Sequence, residues 1–411
     1  MDNIALGAEP ARSGALGALG FLHRDAIRRK ARAALDQLDH PDIPVDARVS
    51  DLSPAVQQLV EIARALACGC SVLVLDEPTS SLAHGDAQRL FGLIARLRRQ
   101  GLAIVYISHF IEEVLQVSTR FVVLRDGRNA GEGVTDGSSG DRMVSLMVGR
   151  TLDDLYPRRA RALGDTVLEL QALAPERIDP ASFALRRGEI FGIAGLLGAG
   201  RTRLLRGLFG LDPVRSGTVK LGVHAGRFSP AKWWQLGMGM LSENRAGEGL
   251  AASLSVADNM TLTRLKGLGT GFFVSPAQQK RAAARLIDAL GIRTAGAGQD
   301  VSSLSGGNQQ KVALARLLHH DVDVLILDEP TRGIDVPSKA QIYELIDALV
   351  SGRGATRQKS VIIVSSYFPE LLALCDRIAV MSRGHLGTPR PAAEWTEHSL
   401  LLEASGTRTA S

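Results

Sequence analysis

Aromatic residues are scarce, with Phe, Trp and Tyr making up 4% of the 411 residues. Stacking of successive bases needs aromatic faces, so a platform for single-stranded nucleic acid is excluded as the main function. Cysteine is as sparse, present only as Cys68, Cys70 and Cys375. A C-x-C pair with one distant Cys is neither a disulfide framework nor a zinc pattern. The three read as small apolar residues of a reducing compartment. Charge of one sign is also lacking: 48 Lys and Arg against 43 Asp and Glu leave +5. That excess marks no nucleic-acid or membrane-surface partner. No uncharged apolar run reaches the roughly 18 residues that span a bilayer. The N-terminus has no basic segment followed by an apolar core, as a signal peptide would. The expectation is a soluble, cytosolic chain whose work at a membrane needs a partner to supply the span.

The composition, 45% hydrophobic and 22% charged, is that of a folded globular protein, and the length allows two or three domains. The clearest feature is an internal repeat. Val72-Leu-Val-Leu-Asp76-Glu77-Pro78-Thr79 recurs as Val324-Leu-Ile-Leu-Asp328-Glu329-Pro330-Thr331. Upstream, Leu52-Ser53 followed by Gln57-Gln58 recurs as Leu304-Ser305 followed by Gln309-Gln310. Both pairs are offset by 252 residues, which implies a tandem duplication.

Each copy alternates between helical and strand periodicity. In the first, 53–67 reads as a helix with Ser53 as N-cap and Pro54 in the first turn. Residues 72–75 read as a buried strand, 86–99 as a helix and 103–107 as a strand ending near His109. In the second, a helix starts at Ser305, a strand covers 324–327, a helix 338–350 and a strand 361–364. This alternation predicts an α/β fold with a parallel sheet. Residues 1–150 read as one domain, 151–165 as a linker without periodicity and 166–411 as a second domain.

The second copy also contains Gly195-Leu196-Leu197-Gly198-Ala199-Gly200-Arg201-Thr202, between an apolar run and a helical one. This fits the phosphate-loop pattern G-x4-G-K-[ST], with Arg201 in place of Lys. Backbone N–H groups of such a loop and the helix dipole face phosphate oxygens. Thr202 is placed to offer its hydroxyl to Mg²⁺, and Asp328, ending an apolar strand, to hold the ion's water shell. Glu329 beside it is placed to polarise an attacking water. The two glycines of Ser305-Gly306-Gly307-Asn308-Gln309 open a helix, where they lower its stability. They have no expected packing use, so they predict close approach of an anion.

Together these residues resemble the nucleotide-binding domains of ATP-binding cassette (ABC) transporters. Gly195–Thr202 resembles Walker A, Leu325–Glu329 Walker B, Leu304–Gln309 the signature and Gly333-Ile-Asp335 the D-loop. The resemblance is closest to the double-cassette ATPase subunits of ribose, xylose, arabinose or galactose importers. It covers essentially the whole chain. It implies two tandem P-loop cassettes, ATP and Mg²⁺ as cofactors, and ATP-driven sugar import. The implied partners are integral-membrane permease subunits and, through them, a periplasmic or extracellular sugar-binding protein. No nucleic acid is implied, and the implied place is the cytoplasmic face of the inner membrane. Soluble chromosome-type cassettes fit poorly, since no heptad run or C-x-x-C is present.

In the family each ATP lies between one cassette's Walker motifs and the other's signature. The two cassettes of one chain, with a second chain as a further possibility, then form two sites. Site one uses Asp76 as metal residue, Glu77 as catalytic residue and His109 as the switch histidine, opposite Ser305, Gly306, Gly307 and Gln309. Site two uses Gly195–Thr202, Asp328 and Glu329 opposite Ser53 and Gln57. At site two Ser366 stands at the switch position, and Pro54 and Ala55 replace signature positions that favour a phosphate clamp. Glu243, in Leu241-Ser-Glu243-Asn-Arg245, stands at the glutamine-loop position. The repeat offset puts the first copy's counterpart of Gly195 ahead of Met1, so the first cassette is read as incomplete. Asn3–Pro10 resembles the segment just beyond the first glutamine loop. Weak ATP binding and poor hydrolysis by the chain alone are expected. A nucleotide-responsive regulatory module without productive hydrolysis is the second reading.

Overall fold

The computed structural model describes the chain except residues 13, 15–18, 80–81, 83, 109, 126, 138, 149–160, 197, 271–272, 353–356 and 407–411. It divides into two units, Met1–Gly149 and Arg150–Ser411. Among the described residues, no helix is long and apolar enough to cross a membrane.

The second unit is built on a seven-stranded sheet. Its parallel part runs in the order Met238–Leu241, Val324–Asp328, Ser360–Ser365, Ile190–Gly195, Arg377–Ser382. Every residue of Val324–Asp328 and Ser360–Ser365 is buried, as both-face coverage of a parallel sheet requires. A four-stranded antiparallel sheet, with Thr166–Pro175 paired to Ala181–Arg186 and Val214–Leu221, shares one core with it. Helix Arg201–Phe209 contributes Leu204, Leu205 and Leu208 to that core, all 1% exposed or less. Phe183 of the antiparallel sheet stacks on Phe191 of the parallel one, with ring centroids 4.7 Å apart. The helix that follows the glycine loop is thereby held rigidly.

The first unit repeats the architecture in part. Strands Val72–Asp76 and Ala103–Ile107 pair in parallel, as Val324–Asp328 and Ser360–Ser365 do. Helices Pro54–Ala67 and His84–Arg99 correspond to Gly306–His320 and Val336–Ser351. Ser53 is the N-cap of the first, accepting a bond from the Val56 N–H at 3.5 Å. Small details also repeat. Glu77 and Glu329, just past their strands, have φ of 43° and 47°, strained for a non-glycine residue. Asp39 and Gly291, again 252 apart, have φ of 59° and 55°.

Several strands of the second unit, Ile190–Gly195 among them, have no described counterpart in the first. In the second unit Ile190–Gly195 pairs with both Ser360–Ser365 and Arg377–Ser382. In the first, no described strand joins Ala103–Ile107 to the hairpin Arg120–Val134, so two separate two-stranded sheets result. One face is consequently uncovered. Val72, Val74, Val105 and Ile107 are 46–59% exposed, whereas their counterparts Val324, Ile326, Ile362 and Val364 are 0% exposed.

Of the segment read as a linker, 151–160 lies outside the described residues. Its end belongs to the second unit: Gly164 N–H donates to Arg187 O at 2.9 Å. The Arg161 guanidinium, 5% exposed, bonds Asp347 at 3.0 Å and Asp376 at 3.2 Å. Removing one partner of a buried ion pair leaves uncompensated charge. Arg161→Ala should therefore cost about 3 kcal/mol. Denaturant unfolding of the second unit checks this, and a cost under about 1 kcal/mol, as for a surface pair, counts against it.

Candidate nucleotide site

The site forms where buried strands end. Ile190–Gly195 leads into the glycine loop, and Gly200 is the N-cap of helix Arg201–Phe209. Two glycines are required by geometry. A Cβ at Gly195 would sit 2.5 Å from Met381 O, and one at Gly200, where φ is 106°, would sit 2.6 Å from Ile178 Cδ1. Gly198 is also in the left-handed region, with φ of 81°. Ala199 is buried and Leu196 is 39% exposed, while Leu197 lies outside the described residues.

Gly198, Gly200, Arg201, Thr202 and Glu243 line one side or another of an open cleft of about 330 Å³. Arg203, Arg206 and Asp212 complete it. Burial beside Asp212 is outweighed by the bonds to it, which hold the Arg206 guanidinium above its usual pKa. The two carboxylates Asp328 and Glu329 do not themselves line the cleft; Arg201, which does, reaches them. Arg201 Nη1 is 3.0 Å from Glu329 Oε1, and both side chains are 6% exposed. The backbone N–H of Ser366 donates to the same Oε1 at 2.8 Å. Arg201, at the cation position of the glycine loop, is thus ion-paired with the glutamate just past strand Val324–Asp328.

Asp328 is 0% exposed, and neither carboxylate oxygen has a hydrogen-bond partner among the described residues. Burial pushes its pKa from 3.8 up to about 6; the Thr202 hydroxyl opposes the rise, the charge of Glu329 adds to it, and the charges of Arg201 and Arg206 oppose it. A buried carboxylate without a partner is costly unless a cation meets it. Thr202 opens the adjacent helix, and its hydroxyl donates to Glu243 Oε2 at 3.3 Å. Among the described residues no three His, Cys, Asp or Glu side chains converge as a metal cage. Such a pair of protein ligands suits a Mg²⁺ ion completed by water and phosphate oxygens. The residues therefore fit a magnesium–nucleotide complex.

Glu243 joins two segments, since Arg332 also pairs with it. That contact and the Arg201–Glu329 pair were not legible in the sequence, because they join residues 89 and 128 positions apart with no spacing rule.

Ser305, Gly306, Gly307 and Gln309 lie at the start of helix Gly306–His320 and do not line the cleft. The expectation that the glycines have no packing use is corrected here. A Cβ at Gly307 would sit 2.6 Å from Ser338 Oγ, and one at Gly306 would sit 3.2 Å from Gly333 O. Gly306 O accepts from Arg245 at 2.8 Å, tying this turn to the segment after Glu243. Ser305 Oγ accepts from Asn308 at 2.8 Å. The Gln309 amide donates to Val301 O and Leu304 O at 3.3 and 3.2 Å. Gln57 does the same to Val49 O and Leu52 O, both at 3.0 Å. Both glutamines are thus spent on closing the turn before their helix.

In the first unit Ser53, Asp76 and Glu77 are exposed, and His109 lies outside the described residues. Asp76 and Asp328 occupy the same strand position in opposite environments, because the covering strand and helix are described only in the second unit.

The ABC transporter family profile matches residues 6–80 and 178–332. The ribose import ATP-binding protein RbsA of Chromobacterium violaceum is 42% identical over 408 residues, 99% of this chain and 79% of that protein. Ribose import ATP-binding protein RbsA 1 of Streptomyces avermitilis is 39% identical, covering 99% and 76%. The ribose import ATP-binding protein RbsA of Lactococcus lactis is 38% identical, covering 99% and 80%. With the glycine loop, the buried Asp328–Glu329 pair and the duplicated architecture, these matches place the chain in the ABC transporter family.

Proposed function

We propose that this chain is the ATP-hydrolysing, energy-coupling subunit of an ABC-type monosaccharide import system. The observation that carries the reading is the buried, unpartnered Asp328 carboxylate behind a glycine loop that ends at Thr202. The sugar class follows the relatives, whose names specify ribose import. Backbone N–H groups of Gly198–Thr202 would hold the nucleotide phosphates. Thr202 and Asp328 would hold Mg²⁺, which neutralises charge on the phosphates during transfer. Glu329 would orient and polarise the attacking water. Glu77 and Asp76 are the matching residues of the first cassette, with His109 as its switch histidine. Integral-membrane permease subunits would be the mechanical partners and a sugar-binding protein their donor. The chain would then sit peripherally on the cytoplasmic face of the inner membrane.

Glu329→Gln keeps volume and the Ser366 contact but removes the charge that polarises water. ATP binding is expected to persist while turnover at this site falls by about 100-fold or more. Isothermal titration and single-turnover hydrolysis, run with the permease, test this together. Unchanged turnover would assign the base elsewhere, and loss of binding would make Glu329 a ligand rather than a base.

A further inference from the structure

In both units a glutamate from the helix after the second strand of the repeated parallel pair reaches back to the threonine after the Asp-Glu pair. Thr331 Oγ1 donates to Glu370 Oε1 at 2.8 Å. Thr79 Oγ1 donates to Glu113 Oε1 at 2.6 Å. The pairs are 39 and 34 residues apart in sequence, so each closes a loop that local structure would leave open. Glu113 also accepts from Tyr106 at 2.7 Å and from Ser108 at 2.9 Å. The Phe110 N–H then donates to Ser108 Oγ at 3.0 Å. In the second unit Tyr367 N–H donates likewise to Ser365 Oγ at 3.0 Å.

We infer that Glu370 and Glu113 are positioning residues, clamping the strand-end carboxylates Glu329 and Glu77 against the segment that follows the neighbouring strand. The inference rests on the hydrolytic reading above for its kinetic consequence, but its geometry stands apart from it. In the second unit the clamp forms a ring. Glu329 N–H donates to Val364 O at 2.8 Å, Ser366 N–H donates to Glu329 Oε1 at 2.8 Å, and Thr331 and Glu370 close the circle. Glu329 holds φ of 47°, a conformation that persists only where its surroundings over-determine it. Two bonds across the two segments supply that constraint. Glu370 is wholly buried, and burial raises its pKa against the stabilising hydroxyls of Ser365 and Thr331. Its bond to Thr331 needs only an acceptor oxygen at Oε1, which the amide of Gln also supplies, so Gln should serve in its place. Neither glutamate touches the cleft, so the clamp would affect the rate of the chemical step and not nucleotide affinity.

The test uses the full chain with Thr331→Val, Glu370→Ala and Glu370→Gln. Thr331→Val is isosteric and keeps the question open if Glu370→Ala fails to fold. The first readout is amide hydrogen exchange at Ser366 in nucleotide-free protein. Exchange is expected to speed up about tenfold or more in Thr331→Val and Glu370→Ala, and to stay within about threefold of the parent in Glu370→Gln. The second readout is kinetic: kcat lowered about tenfold or more with KM within about twofold, restored in Glu370→Gln. Unchanged exchange at Ser366 in Thr331→Val overturns the clamp. Faster exchange with unchanged kcat overturns its part in positioning. If the parent chain with its permease shows no turnover, the hydrolytic reading fails while the exchange result still decides the clamp.

Discussion

Asp328→Asn is expected to raise the melting temperature of the nucleotide-free protein at pH 7.5 and to abolish magnesium-dependent nucleotide binding. The carboxylate is fully buried without a hydrogen-bond partner, and its pKa rises from 3.8 to about 6. For an acid with a raised native pKa, the unfolded state holds fewer protons. The folded state is thus unpenalised well below pH 4, loses stability as pH climbs from about 4 to about 6, and stays penalised above. A shift of about 2 pKa units corresponds to about 3 kcal/mol. Part of that returns in Asn, whose amide is also desolvated. A net gain of about 2 kcal/mol raises the melting temperature by roughly 4–8 °C in a domain of this size. Scanning calorimetry from pH 4 to pH 8 reads the variant's advantage, which should be lost at the acid end, where the protonated carboxyl carries no charge penalty and the cost of the buried amide remains. Adding magnesium and ATP should stabilise the parent and leave the variant unmoved. A variant that melts at or below the parent at every pH would mean that Asp328 bears no uncompensated charge.

The second large effect concerns Arg201 and Glu329. Their side chains are both 6% exposed and 3.0 Å apart. Arg201→Ala leaves Glu329 buried beside Asp328 without its ion-pair partner, and should cost about 3–5 kcal/mol. Glu329→Gln should cost less, because its amide oxygen still accepts from the Ser366 N–H and Asp328 still faces Arg201. The double variant should therefore be more stable than the sum of the two losses predicts, with a coupling of about 1–3 kcal/mol. The same pair bears on nucleotide binding. If phosphate recruits Arg201, it must first draw the guanidinium off Glu329. Glu329→Gln is then expected to bind ATP more tightly than the parent. Urea unfolding of the four proteins and titration of two of them settle both points. Strictly additive stabilities, or unchanged ATP affinity, would show that the two groups act independently.

Much of this protein was legible along the chain. A duplication offset by 252 residues, the apolar runs that end in Asp-Glu, and the glycine loop identify two α/β cassettes and name most residues of the cleft. Such features are written in local spacing, which periodicity and turn chemistry expose. Helix Pro54–Ala67 and strand Ala103–Ile107 start and stop where their caps and apolar runs say. The glycines of the signature were misread, because what a Cβ meets depends on Ser338 and Gly333, which only the fold brings near.

The sequence by itself determined the family pattern, the repeat and the identities of Asp328, Glu329, Arg201 and Thr202. Only the tertiary structure decided that Arg201 pairs with Glu329, that Glu243 links Thr202 to Arg332, and that Asp328 is buried while Asp76 is exposed. The reason is physical. Spacing along a chain encodes which face of an element is apolar. Partnership between charged groups and the desolvation of a carboxylate depend on which distant strands close over them.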